Sequence, residues 1–319
     1  MSGYAEDDRD WSGAVTRFAP SPTGYLHLGH VYSAAFARRR AYGGSSRGSD
    51  ADTPPAGVRG ASRYLVRIED IDIARSRPEW EKLLLDDLDW LGLASDAPVI
   101  RQSERLDRYH AAVAALERLD VVYPCFCTRR EIEAELAGMA SAPHGPHGAL
   151  YPGTCRRLSG SERAARKAEG RPFSLRLDAA RAAGMAGPLA WVEEGMQDGA
   201  AISARRVTVD PHLLGDVILA RKDAPTSYHI AVVVDDADQG ITVVTRGADL
   251  FSATHVHRLL QELLCLPAPR YHHHPLVAGP DGKRLAKRAD SLSVASLRTR
   301  GYTAQEILDL ALAGPFVEG

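Results

Sequence analysis

A short apolar and β-branched lead, Ala14-Val15-Thr16, runs into a turn punctuated by Pro20, Pro22 and Gly24. From Gly29 onward the apolar positions Val31, Tyr32, Ala35 and Phe36 recur at helical spacing, so the pattern predicts a strand, a loop and the start of a helix. Residues 64–68 read as the next strand, closed by the acidic run Glu69-Asp70-Ile71-Asp72. Residues 78–95 and 103–119 alternate apolar and charged positions at helical spacing. Trp80, Leu83, Leu84 and Leu88 form one stripe and Leu106, Tyr109, Val113 and Leu116 the other, and both are read as core. Residues 156–190 are helical and rich in Arg and Ala, apart from a strand-like piece at 173–177, and 213–223 give a strand and a turn. Residues 226–236 form a near-continuous apolar run of the buried parallel-strand type, and 241–250 repeat it. The last regular piece is a helix at 304–312. Residues 41–62 are poor in apolar side chains and rich in Gly, Ser, Pro and Asp, which predicts a flexible insertion between the first helix and the next strand. Strand–loop–helix order of this kind belongs to an α/β fold, in which ligands bind at the carboxyl ends of the strands.

Composition changes this picture little. A chain of 319 residues has material for about two domains and a sizeable core. No apolar run approaches the roughly 18 residues of a membrane span, and the acidic start MSGYAEDDRDW has no apolar stretch of the secretory type. A cytoplasmic protein with no membrane partner is expected. The net charge of −2 carries no overall basic footprint and argues against a DNA partner. An enzyme acting on RNA needs only one basic face, and the basic runs are local: Arg38 to Arg40, Arg205-Arg206, Lys283-Arg284 and Lys287-Arg288. The first of these is read as a solvated surface run.

Chemistry is concentrated at three places. His27 and His30 flank Gly29, which lets a flat base lie against bare backbone while imidazoles donate to charge developing on a phosphate. Cys125, Cys127 and Cys155 cluster around Tyr151, whereas Cys265 sits among Leu263, Leu264 and Leu266 and is read as core. In a cytosolic protein such clustering points to a metal, and thiolates select zinc in closed four-ligand sites. The fourth ligand would be His144, His147 or the Tyr151 phenol, and ligand chemistry by itself favours an imidazole. The third place is residues 279–288, a glycine-rich loop holding two of the chain's five lysines, Lys283 and Lys287. A cationic loop of this kind can close over a triphosphate. Glu69, at the end of a strand, is a candidate partner for a substrate ammonium or else an exposed loop acid. Arg246 in isolation reads as a surface salt bridge.

Residues 17–30, RFAPSPTGYLHLGH, resemble the ATP-binding signature of class I aminoacyl-tRNA synthetases in the form used by the glutamyl branch, with Leu28 where Ile is usual. The run Arg284-Leu-Ala-Lys-Arg288 resembles the second signature loop of that class. Ala286 replaces its serine, so slower or weaker ATP use is expected. The C-x-C and Y-x-x-x-C elements resemble the zinc element of the glutamyl-queuosine tRNA(Asp) synthetases, shortened relatives of glutamyl-tRNA synthetase. The resemblance implies one structural zinc held by Cys125, Cys127, Tyr151 and Cys155. The segments A-x-x-x-D-D-x-x-x-G-I-T and V-x-R-G-A-D-L, from Ala231 and Val244, are similar to the second half of the glutamyl-type Rossmann domain. That similarity implies glutamate binding by Tyr228 and Arg246, with Arg17, Phe18, Ala19, Pro20, Ser21 and Glu69. ATP, carried with Mg2+, would meet His27, Gly29, His30, Arg284 and Lys287, and His27, His30 and Lys287 would be catalytic.

The implied organisation is a tail at 1–13, a first Rossmann half at 14–120, a zinc-bearing insertion at 121–190, a second half at 191–278, and the signature loop with a helix at 279–319. Only about 30 residues follow the loop, which leaves no room for an anticodon-reading part. The implied activity is tRNA-independent activation of L-glutamate and transfer to the queuosine base of tRNA(Asp). The alternatives are a truncated glutamyl-tRNA synthetase charging tRNA(Glu), a small-molecule nucleotidyltransferase, and an inactive zinc- or RNA-binding paralogue.

Overall fold

The structure, a computed structural model, describes residues 14–42, 62–139, 144–197, 201–224, 226–278 and 292–317. The tail at 1–13, nearly all of the 41–62 insertion and the 279–288 loop lie outside them. Strand β1 (Val15–Phe18) leads through the histidine turn into α1 (Leu28–Tyr42), and β2 (Arg63–Ile68) follows. Helix α2 (Pro78–Trp90), with proline in its first turn, returns to β3 (Ile100–Arg101), and α3 (Leu106–Arg118) closes this half. The three strands form a parallel sheet in the order β1-β2-β3. Four buried alanines, Ala34, Ala35, Ala37 and Ala41, bring α1 close to that sheet. Thr16 Oγ1 donates to the carbonyl of Ala37 at 2.8 Å across the contact.

Next come β4 (Val122–Cys125), α4 (Arg129–Ala137), the tiny hairpin β5 (His144–Gly145) and β6 (Gly148–Ala149), α5 (Gly160–Ala168), β7 (Ser174–Leu177) and α6 (Ala179–Ala186). Capping boxes start two of these helices, Thr128 with Glu131 for α4 and Ser159 with Glu162 for α5. A long antiparallel hairpin, β8 (Ala190–Gln197) and β9 (Ala201–Thr208), precedes β10 (Ile218–Ala220). Strand β7 lies between β4 and β10, antiparallel to both.

The second half runs α7 (Tyr228–Asp238), β11 (Val243–Gly247), α8 (Ala253–Leu263), β12 (Arg270–His274), β13 (Leu276–Val277), α9 (Val294–Thr299), α10 (Ala304–Ala313) and β14 (Phe316–Val317). β11 and β12 are parallel, and β12 pairs in parallel with β8. Thr242, just before β11, joins the two sheets: its N–H donates to the Val15 carbonyl at 3.0 Å and its hydroxyl accepts from the Val15 N–H at 2.9 Å. β1 therefore has β2 on one side and the start of β11 on the other. This is the switch point of a doubly wound sheet, outside whose strand ends ligands bind. Among the described residues, no helix is long and apolar enough to cross a membrane.

Three expectations about the fold need correction, and one hairpin was not expected. Residues 226–236 are not a strand: from Tyr228 on they form most of α7, with Ser227 at its N-cap. Ile230 through Asp236 are all buried in the cluster that α7 shares with α3, β7 and α8. A helix buried on every side shows no polar stripe, so its sequence reads like an interior strand. Cys265 is exposed just beyond α8, in the left-handed backbone region at φ 53°, and is not core. Arg40 is not a solvated surface residue: it makes two hydrogen bonds, 2.7 and 2.8 Å, to the fully buried carboxylate of Glu194. The β8–β9 hairpin was not anticipated, although Asp198-Gly199 is a turn dipeptide between β-rich flanks.

Candidate active site

At the carboxyl end of β1 the chain turns and enters α1, so the positive end of the helix stands near the strand ends, with the His30 and Val31 N–H groups donating to the His27 carbonyl at 2.8 and 3.1 Å. The His27 and His30 rings stack with centroids 3.8 Å apart and planes 24° from parallel. His27 Nδ1 accepts from the Gly29 N–H at 3.1 Å, folding its ring back over the glycine. A Cβ at position 29 would stand 3.0 Å from His27 Cε1, so any larger residue there would press on the His27 ring and its stack with His30. The turn is also pinned from outside: His27 bridges to Ser293, and the Val294 N–H donates to the Leu26 carbonyl at 2.8 Å.

A cavity of about 520 Å³ opens over these groups. Arg17, Phe18, Ala19, His27, Gly29, His30, Glu69, Tyr228 and Arg246 all line it. Pro20 is buried and Ser21 exposed, and neither faces the cavity; they shape the turn. The Pro20 carbonyl accepts from the Glu69 N–H at 2.9 Å, which holds Glu69 at the cavity wall. Arg284 and Lys287 lie outside the described residues.

Electrostatics divide the cationic side chains into two kinds. Arg17 donates to Asp236 through Nε at 2.9 Å and Nη2 at 3.3 Å. The fully buried Arg67 donates to Asp236 at 2.7 Å and to Glu69 at 3.2 Å. Burial raises the Asp236 carboxyl, but the charges and hydrogen bonds of Arg17 and Arg67 outweigh it and leave it below the usual carboxylate range. Glu69 is shifted the other way, because burial there exceeds the help from Arg67 and Arg17. Arg246 differs from both. It is 6% exposed and its four hydrogen bonds go to uncharged groups: His273, Tyr228, His257 and Thr254. Burial first, then the neighbouring guanidinium, pushes His257 well below 6.5, while burial holds His273 near about 4 even with Glu193 beside it. The site thus presents one buried positive charge with no carboxylate partner among the described residues. Instead of a surface salt bridge, Arg246 is a buried guanidinium at the cavity wall whose hydrogen bonds go to neutral partners.

At a separate place, where β4 meets the 154–157 turn, the three cysteines converge, with Sγ atoms all within 4.8 Å of one another. The Tyr151 hydroxyl is 3.4 Å from Cys125 Sγ and 3.5 Å from Cys127 Sγ, and Cys127 and Cys155 are 3.4 Å apart. A tetrahedral zinc with bonds of about 2.3 Å to sulfur and 2.0 Å to oxygen spaces such ligands roughly 3.5–3.8 Å apart, so the four groups fit one. Neither imidazole joins them. His144 stands on β5 and His147 hydrogen-bonds Ser252 at 2.7 Å. Among the described residues the metal-competent group is the three cysteines, with the Tyr151 hydroxyl beside two of them.

Residues 14–46 and 59–314 match the family of class I tRNA synthetases (E and Q), catalytic domain. The chain belongs to this family. It is 44% identical over 300 residues to the glutamyl-Q tRNA(Asp) synthetase of Rhodobacter capsulatus, spanning 92% of this chain and 98% of that one. It is 42% identical over 301 residues to the enzyme of the same name from Nocardia farcinica, spanning 93% and 83%. Among solved structures it is similar to a glutamate tRNA ligase from Elizabethkingia meningosepticum in complex with its amino acid, with a TM-score of 0.61 at 27% identity. That likeness covers 91% of this chain and 53% of the ligase. Sequence reasoning about this synthetase site missed Arg67, Asp236, Glu193, His257 and His273. The acidic pair ending an apolar run and the His272-His273-His274 triplet were the available signals.

Proposed function

We propose that the chain activates L-glutamate with Mg-ATP without tRNA, and passes the glutamyl group to the queuosine base in the anticodon of tRNA(Asp). The observation that supports this most is the uncompensated Arg246 guanidinium in the same cavity as Glu69 and the stacked histidines. An amino acid with two carboxylates and one ammonium needs a cationic receptor, an acid, and a place for phosphate. In this reading Arg246 and Tyr228 take one carboxylate, Glu69 takes the ammonium, and Arg17, with its charge already matched by Asp236, contributes N–H groups and shape.

The free α-carboxylate oxygen attacks the α-phosphorus, the bond to the β-phosphate bridge breaks, and pyrophosphate leaves. His27, His30, the α1 start and the sequence-assigned Lys287 and Arg284 stabilise the charge that develops. A hydroxyl of queuosine then attacks the acyl carbon, its proton is lost, and AMP departs. Cys125, Cys127, Cys155 and Tyr151 would hold one zinc that supplies structural cross-linking, not reaction chemistry. The Arg176 guanidinium lies 4.0 Å from the Tyr151 ring centroid, a cation–π contact that helps hold the ring in place beside the thiols. Reduced thiols and the need for ATP and tRNA are consistent with the cytoplasm.

The likeness to a glutamate tRNA ligase keeps aminoacylation of tRNA(Glu) as the second reading. Glutamate-dependent ATP–pyrophosphate exchange in the absence of RNA tests activation: exchange with glutamate and not glutamine is expected, and no exchange with any amino acid would refute it.

A further inference from the structure

Arg246 is held by a relay that reaches outside the cavity. A guanidinium has five N–H donors and no acceptor, so every hydrogen-bonding partner must present a lone pair to it. His273 Nε2 lies 3.0 Å from Arg246 Nε and must therefore be unprotonated. The imidazole proton is then on Nδ1, which stands 2.9 and 3.0 Å from the two carboxylate oxygens of Glu193. A pKa near about 4 keeps His273 neutral at physiological pH, so its contact with Glu193 is a directed hydrogen bond and not an ion pair. Glu193 is itself fixed, accepting from the His273 N–H at 3.0 Å and from Trp191 Nε1 at 3.0 Å.

The same logic applies on the other side of the guanidinium. His257 Nδ1, 3.1 Å from Arg246 Nη1, must accept, which places its proton on Nε2, 3.1 Å from His229 Nδ1. Tyr228 accepts at 3.2 Å and Thr254 at 2.6 Å. Four of the five N–H groups are thereby committed. One N–H on Nη2 and the Tyr228 phenolic proton remain for a ligand.

We infer that Glu193 is a positioning residue for the amino-acid substrate, acting through the His273 tautomer to hold Arg246 in a single orientation. This rests on the reading that Arg246 binds a substrate carboxylate. Without the Glu193 carboxylate, His273 is free to carry its proton on Nε2. That proton would then point at a guanidinium N–H, donor against donor, and Arg246 would lose the geometry that leaves Nη2 and Tyr228 facing the cavity.

The test is steady-state ATP–pyrophosphate exchange by the full chain with Glu193→Gln and Glu193→Ala, varying glutamate and ATP separately. Imidazole 15N spectra of histidine-labelled protein accompany it. Losing an outer partner of a ligand-holding group should raise the KM for glutamate about tenfold or more, with a smaller change in kcat and an unchanged KM for ATP. The wild-type spectrum should show His273 protonated on Nδ1, and both variants should shift protonation towards Nε2. If Glu193→Ala unfolds, the isosteric Glu193→Gln carries the comparison. An active wild type whose variants keep the wild-type glutamate KM would overturn the inference alone, as would a wild-type His273 protonated on Nε2. A wild type that activates no amino acid while showing the Nδ1–H tautomer would overturn the functional reading, and with it the purpose assigned to Glu193.

Discussion

Asp236 is the group whose loss should be felt most. Its carboxylate accepts from Arg17 Nε at 2.9 Å, from Arg17 Nη2 at 3.3 Å and from Arg67 Nη1 at 2.7 Å, and the Arg67 side chain is wholly buried. In Asp236→Asn the shape survives and the charge does not. Arg67 retains Glu69 at 3.2 Å and the more distant Asp235 at 3.8 Å, while Arg17 retains the Thr245 carbonyl at 3.0 Å. The new amide also turns a donor towards one of two guanidinium groups. Removing one partner of a buried ion pair leaves an uncompensated charge in a low-dielectric interior and costs about 3–5 kcal/mol. The exposed pair Lys82–Asp86, 2.6 Å apart with side chains 77% and 55% accessible, is the control. Lys82→Ala should cost no more than about 0.5 kcal/mol. Denaturant unfolding followed by circular dichroism measures both, with the midpoint shift interpreted at constant slope. A loss below about 1 kcal/mol for Asp236→Asn would refute the view that Arg17 and Arg67 are neutralised by this carboxylate, and with it the division of labour between Arg17 and Arg246.

Other outcomes follow from the same structure. Purified protein should contain about one zinc per chain, with Cys127→Ser releasing it and Tyr151→Phe weakening it, both read by metal analysis under chelator challenge; a metal-free wild type that is fully folded would contradict the site. His229, His273 and His274 are each held near about 4, chiefly by burial. Their folded values lie below the ordinary 6.5, so the stability they allow is intact above about pH 6.5 and falls as pH drops towards 4, by up to about 3 kcal/mol each. Acid titration should therefore unfold the protein near about pH 5, and a stability that stays flat down to about pH 4.5 would argue against these assignments. Gly29→Ala should push the His27 ring off His30 and lower kcat/KM for ATP in the exchange assay about tenfold, leaving the KM for glutamate unchanged; wild-type ATP kinetics would show that the stack is dispensable.

The histidine turn was legible as a local motif. His27, Gly29 and His30 lie within four positions of each other, and a strand, turn and helix start bring them together, with Ser293 and Val294 pinning the turn from outside. Glu69 could be singled out from its place at a strand end, but Tyr228 and Arg246 were reachable only through the family resemblance, since 177 positions separate Glu69 from Arg246 and no periodicity links them. The apolar run at 226–236 shows where patterning fails. A helix packed on all sides by α3, β7 and α8 has no polar face to betray its period, and its three consecutive valines favour the strand reading. The relay from Glu193 to Arg246 was illegible for a related reason. It is created by the register that sets Tyr271 of β12 opposite Glu193 of β8, and that hairpin had not been recognised. The cysteine group sits between these cases: thiol spacing singled out three candidate ligands, the family resemblance added Tyr151, and the folded geometry sets that phenol beside the thiols and His147 against Ser252.

The central claim is the acceptor. Labelled glutamate and ATP should be offered with tRNA(Asp) carrying queuosine, with an unmodified tRNA(Asp) transcript and with tRNA(Glu), and the products treated with periodate before and after reaction to locate the acceptor hydroxyl. A site built to hydrogen-bond the added ring and its hydroxyls loses about 1–3 kcal/mol for each group left unpaired. Label should therefore enter only the queuosine-containing tRNA(Asp), at a position that periodate destroys when applied first and that leaves the 3′-terminal ribose free. Label at the 3′-terminal ribose of tRNA(Glu) would contradict the account in favour of a translation synthetase, and transfer to none of the three RNAs would contradict it outright.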